Sequence, residues 1–97
     1  MLKVTNLKEI KNIENPVLME YIRNKATTMM EEYQVDNLDD IGCFVILENS
    51  ENQNFVTSEM EFTEVLEIGD KTYLHGVKII SDSYAEDIFM PVEVVKC

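Results

Sequence analysis

From Pro16 to about Gln34, the apolar residues Val17, Leu18, Tyr21, Ile22, Ala26, Met29, Met30 and Tyr33 recur at spacings of three and four. That is the period of one amphipathic helix with a wide apolar stripe. Its start is marked twice. Asn15 is a good N-cap, and Pro16 suits the first helical position while disfavouring helix at the residue before it. Such a stripe must be buried against another layer, and most of the chain after it reads as extended. The fold class predicted is therefore α+β: a short helix and this long N-terminal helix packed on a four-stranded antiparallel β-meander, two layers in one domain spanning 1–97.

The strands are read from period-two patterning and from turns. Ile41 to Glu48 is a nearly continuous, β-branched apolar run, which predicts an interior strand. The polar stretch Asn49 to Asn54 is read as the hairpin loop to the next strand. Phe55 to Ile68 then alternates. Val56, Met60, Phe62, Leu66 and Ile68 fall on one face, interrupted by Ser58 and Glu64; Thr57, Glu59, Glu61, Thr63 and Glu67 fall on the other, with Phe55 and Val65 among them. Ser58 and Glu61 have capping-box spacing, so a helix competes for part of this stretch. The longer alternation and the Gly69-Asp70-Lys71 turn favour strand. If the strand is regular, Glu64 must be paired, at a sheet margin or displaced by a bulge. Thr72 to Ser81 follows, with Gly76 read as a bulge or a close backbone approach. In Tyr84 to Val95 the alternate positions Tyr84, Ile88, Met90, Val92 and Val94 are apolar, and Pro91 points to an edge or a break.

Ahead of the long helix, Met1 to Thr5 reads as an extended lead-in. Asn6 to Ile13 reads as a short helix, with Asn6 as cap, Glu9 at the capping-box position, and Leu7, Ile10 and Ile13 on one side.

Charge narrows the function classes. The formal net charge is -11, and it is unevenly spread. Residues 1–25 carry five bases against three acids, whereas residues 26–97 carry three bases against sixteen acids. No Lys or Arg stands between Lys25 and Lys71, where twelve acids fall. Such a field repels nucleic acid and anionic membranes and attracts basic partners. It also keeps a small protein soluble without further purpose. No apolar run approaches the length of a membrane span, and Met1 to Glu14 has no signal-peptide core. Cys43 sits in an apolar run and reads as a small buried hydrophobe. Cys97 is the last residue, and the two cysteines form neither a disulfide framework nor a metal spacing. A cytoplasmic setting is the expectation.

Catalytic motifs are missing. His75 is the sole histidine, and no serine or cysteine stands beside it in a nucleophile motif. A Cys43–His75 dyad requires neighbouring strands to align the two, and a partly buried structural histidine is the simpler reading. Nineteen acids make accidental carboxylate pairs inevitable, so a pair alone says nothing of glycosidase or metal-dependent chemistry. Asp36, Asp39 and Asp40 invite a calcium loop, but Leu38 stands where the second ligand belongs and no Glu follows at the twelfth position. Turn formation and capping explain them. No cofactor or metal is expected.

The expectation is a non-catalytic interaction protein, of the inhibitor or immunity type. It would dock an acidic sheet face on a basic partner, where spaced carboxylates imitate spaced phosphates. The candidate face is Glu59, Glu61, Glu67 and Glu48, with Asp36, Asp39 and Asp40. Two alternatives stand beside it. One is a structural or regulatory homodimer seeded by apolar residues such as Phe55 and Val65. The other is a small enzyme or ligand carrier with a pocket between helix and sheet.

Overall fold

The computed structural model describes residues 2–47 and 62–92. The long helix forms as its periodicity predicts: α1 spans Pro16–Tyr33. The Asn15 side chain accepts from the backbone N–H groups of Val17 and Leu18, and Pro16 needs no partner for a donor it lacks. The helix ends at Gln34 in the left-handed region, with φ 54°. Leu18, Ile22 and Ala26 are fully buried along its inner stripe.

The short helix is a 3-10 helix, Leu7–Asn12. The Asn6 side chain caps it by accepting from the Glu9 N–H, and Glu9 reaches back to accept from the Thr5 N–H and hydroxyl at 3.0 and 2.6 Å. This is the reciprocal arrangement the spacing predicted, one residue further out. Three residues per turn suit Ile10 and Ile13, which are buried, but Leu7 stays about half exposed. A second 3-10 turn, Leu38–Asp40, drives Leu38 into the core.

The sheet corrects the meander. Among the described residues it has five strands: β1 Leu2–Val4, β2 Gly42–Ile46, β3 Phe62–Ile68, β4 Lys71–Ser81 and β5 Tyr84–Val92. Their order is β1-β2-β5-β4-β3. The pairs β3–β4, β4–β5 and β1–β2 are antiparallel, but β2 pairs with β5 in parallel, so the sheet is mixed. The lead-in is therefore an edge strand. The hairpin loop predicted at Asn49–Asn54 lies outside the described residues; β2 and the described strand β3 are not neighbours, because β5 and β4 lie between them. The physical reason lies in β2. Both of its faces are apolar, which suits a strand covered on both sides and flanked on both edges.

Two apolar clusters follow. On the helix side, Val4, Ile10, Leu18, Ile22, Leu38, Phe44, Ile68, Tyr73 and Phe89 form the main core with α1. On the opposite face, Cys43, Val45, Leu47, Ile88 and Met90 form a second buried cluster, joined by Leu74 and Val92. That face is expected from the sequence to carry many of the acids; at its centre it is apolar. The apolar alternation in β5 at Ile88, Met90 and Val92 belongs to this second cluster, while Phe89 faces the helix.

Three local expectations change. Gly76 pairs regularly with Thr63 and Ile88, and the irregularity in β4 falls instead between Ile79 and Ser81. Pro91 is near the end of a central strand, not on an edge. Leu47 donates to the Phe89 carbonyl, so Phe89 turns its polar backbone groups toward β2, and Pro91, two residues on, turns its missing N–H the same way. The β2 register has ended there, so no ladder bond is lost. Gly42 is required by close approach, because a Cβ at that position would collide with the Ala85 carbonyl. The hairpin turn at Gly69-Asp70 forms as predicted, with Gly69 at φ 65°.

Candidate functional site

The sheet directions place the candidate acids. β2 begins beside the start of β5, at Gly42 and Ala85, next to the β4–β5 turn that holds Asp82. The end of α1 and the connection 34–41 lead into this same end. Glu31, Glu32, Asp36, Asp39, Asp40 and Asp82 are all exposed around it. The last turn of α1 carries no basic residue, so the negative end of the helix dipole adds to the field. Asp39 is partly engaged, accepting from the Tyr84 hydroxyl at 3.1 Å.

Glu67 is elsewhere. It lies near the end of β3, next to the Gly69-Asp70 turn, and β3 runs parallel to β2, so Glu67 is at the opposite end of the sheet from Asp36–Asp40. It is exposed and on the face away from α1, as the alternation predicted. Glu48, Glu59 and Glu61 lie outside the described residues. The set expected as one face is thus divided, with Asp36, Asp39 and Asp40 at one end and Glu67 at the other.

The second concentration of charge lies inside the fold. His75, on β4, is 1% exposed. Its Nδ1 is 2.9 Å from Glu64 Oε1 on β3, and its Nε2 is 2.8 Å from Asp87 Oδ1 on β5. Register explains the meeting. Glu64 is directly opposite His75, and Asp87 lies diagonally across, two residues from His75's partner Phe89. The imidazole stacks on the Phe89 ring at 4.6 Å and 12°. Phe89 is met edge-on by Tyr21 of α1 at 6.1 Å. The ring is therefore held in its plane with one carboxylate on each side. Burial, helped by the charges of Glu64 and Asp87, pushes the Tyr21 phenol up.

This geometry answers the sequence questions. The strand is regular at Glu64, and Glu64 is both paired and on an edge strand. His75 is fully buried rather than partly so. Cys43 lies in the opposite-face cluster, so no Cys43–His75 dyad forms. The Cys43 thiol instead donates to Glu86 Oε2 at 3.5 Å, and Glu86 also meets Lys3 at 4.0 Å. Burial, with a smaller push from the Glu86 charge, raises the thiol. Burial and the hydrogen bonds to Cys43 and Asp39 push the Tyr84 hydroxyl up in turn.

Sequence reasoning missed the Glu64–His75–Asp87 trio. The one available signal was Glu64 interrupting a buried face, with a lone histidine a turn away in the paired strand. Asp87 gave none, because its strand was read in the other parity. Among the described residues no group of three His, Cys, Asp or Glu side chains is arranged to hold a metal. In the trio the reason is plain: the two ring nitrogens point away from each other. Among the described residues, no helix is long and apolar enough to cross a membrane.

A cleft of about 560 Å³ lies at the far end of the sheet from Asp36–Asp40, lined by Leu18, Leu47, Pro91, Asn15, Lys71 and Tyr73. Two of its polar groups meet, Asn15 Nδ2 donating to the Tyr73 hydroxyl at 3.3 Å. Asn15 Oδ1 is spent on the helix cap. Comparison with protein-family models, curated proteins and solved structures found no match to this chain.

Proposed function

We propose that this is a small, non-catalytic, cytoplasmic interaction protein that docks an acidic surface on a basic protein partner, in the manner of an inhibitor or immunity protein. The observation that carries the reading is the acidic end of the sheet. Six exposed carboxylates converge there from the last turn of α1, the α1–β2 connection and the β4–β5 turn, and none of these three stretches contains a lysine or arginine. A field of one sign over one end of a small domain steers a cationic partner and orients its approach. Glu67 is the second candidate, and Glu48, Glu59 and Glu61, which lie outside the described residues, stay candidates from the sequence. The burial of His75 and Cys43 supports a non-catalytic role, because neither side chain is open to a substrate.

The test is capture of basic proteins at low salt, repeated with two charge-reversed variants. Binding that salt abolishes, and that Asp36→Lys, Asp39→Lys and Asp40→Lys together remove, supports the reading. Loss instead with Glu59→Lys, Glu61→Lys and Glu67→Lys moves the surface to the strand. Binding that survives both variants, or no basic protein recovered, sinks the proposal.

A second reading has one observation in its favour. β3 is an edge strand, and Val65 on its outward face is 65% exposed. An open edge with an apolar residue can pair with a second copy of the chain. Light scattering over a concentration series decides it: a monomer throughout removes the homodimer.

A further inference from the structure

The Glu64–His75–Asp87 trio has a proton requirement that follows from its hydrogen bonds. A neutral imidazole has one donor and one acceptor, and an ionised carboxylate only accepts. Both ring nitrogens lie within hydrogen-bond distance of a carboxylate oxygen. For both contacts to be hydrogen bonds, the trio must hold one proton more than a neutral imidazole and two carboxylates. Without it, one nitrogen lone pair faces a carboxylate at the same short distance, which is repulsive in a buried site.

The three members are not equally free to respond. Asp87 is 5% exposed and His75 is stacked on Phe89. Glu64 sits on the edge strand, and its side chain is 38% exposed. Around them, α1 presents Tyr21, with the Lys25 ammonium 5.9 Å from its ring centre. β4 adds Tyr73 on the same face, its hydroxyl bonded to Asn15. β2 presents apolar Phe44. We propose that the trio is a proton-operated latch: with the extra proton it ties the Glu64 carboxylate of edge strand β3 to His75, and on losing that proton it releases Glu64 to solvent. The consequence is an edge strand whose hold on the sheet weakens as pH rises. This is independent of the acidic docking reading, so either can fail alone.

His75 is the only histidine, so its ring signals are unambiguous in the full chain labelled with 15N-histidine. The experiment follows those signals and the amide protection factors of β3 between about pH 5 and about pH 9. The expected result is a single step in which His75 changes and protection around Glu64 falls about five- to tenfold, the worth of one hydrogen bond. In Glu64→Gln, the amide donates to Nδ1 of a neutral imidazole while Nε2–H still donates to Asp87. The contact then needs no extra proton, so the step in β3 protection disappears. Unchanged β3 protection across the His75 transition, no His75 transition in the range, or the same step in Glu64→Gln overturns the latch.

Discussion

At the scale of single residues, the structure turns on positions whose chemistry looks unremarkable in the sequence. Gly42 opens β2 where the chain passes against the Ala85 carbonyl, and Ala85 N–H bonds to the Ile41 carbonyl at 3.2 Å. A methyl group there cannot be relieved by a side-chain rotation, because the obstacle is backbone. Gly42→Ala is expected to destabilise the fold by about 2 kcal/mol, the usual cost of overpacking, and a urea unfolding curve reads it directly. His75 and Asp87 make the opposite point. Both are polar and both are buried, and each has its partner at hydrogen-bond distance, so burial has not left a group unsatisfied. The sequence flagged Glu64 as a residue needing an explanation, and the explanation is a pair across β3 and β4. It could not flag Asp87, because Glu86 and Asp87 are adjacent acids and only strand parity says which one turns toward the helix.

At the scale of elements, α1 and the N-terminal 3-10 helix were readable because their caps and periods are local. Asn15-Pro16 and the Asn6–Glu9 pair act over three or four residues, and no distant contact has to be known to interpret them. The Glu9 carboxylate is held below the usual carboxylate range, first by the Thr5 hydroxyl and then by backbone N–H groups. A group whose folded value is depressed contributes stability above its unfolded value and loses it as pH falls through the folded value. Glu9→Gln should therefore be less stable than the parent at neutral pH, and the difference should vanish under acid conditions below the ordinary carboxylate range. Unfolding midpoints measured over a pH series check this sign. The strands were readable as elements, but their partners were not. Leu2–Val4 was too short to declare itself, and it is a strand only because β2 offers it an edge.

At the scale of the whole molecule, charge and topology act together. The net charge of -11 is opposed by few cations, so self-repulsion works against compactness. Screening by added sodium chloride is expected to raise the thermal midpoint before any specific ion effect intervenes, and calorimetry across a salt series measures it. A midpoint that falls with salt would mean that the attractive contacts of Lys3, Arg23 and His75 outweigh the repulsion. The mixed order β1-β2-β5-β4-β3 also decides where charge is displayed. It sends Asp36–Asp40 to one end of the sheet and Glu67 to the other, dividing a set that a meander would have drawn as one face.

The sequence by itself determined the α+β class, the bounds and caps of α1, the Gly69-Asp70 turn, the outward direction of Glu67 and the excess of acid after Lys25. All of these are written in spacings of a few residues. Only the tertiary structure decided the parallel pairing of β2 with β5, the fifth strand, the second apolar cluster and the meeting of Glu64, His75 and Asp87. Strand pairing joins segments far apart in the chain. An apolar run such as Ile41 to Leu47 fits between any two neighbours that bury both its faces, so its own residues do not name them.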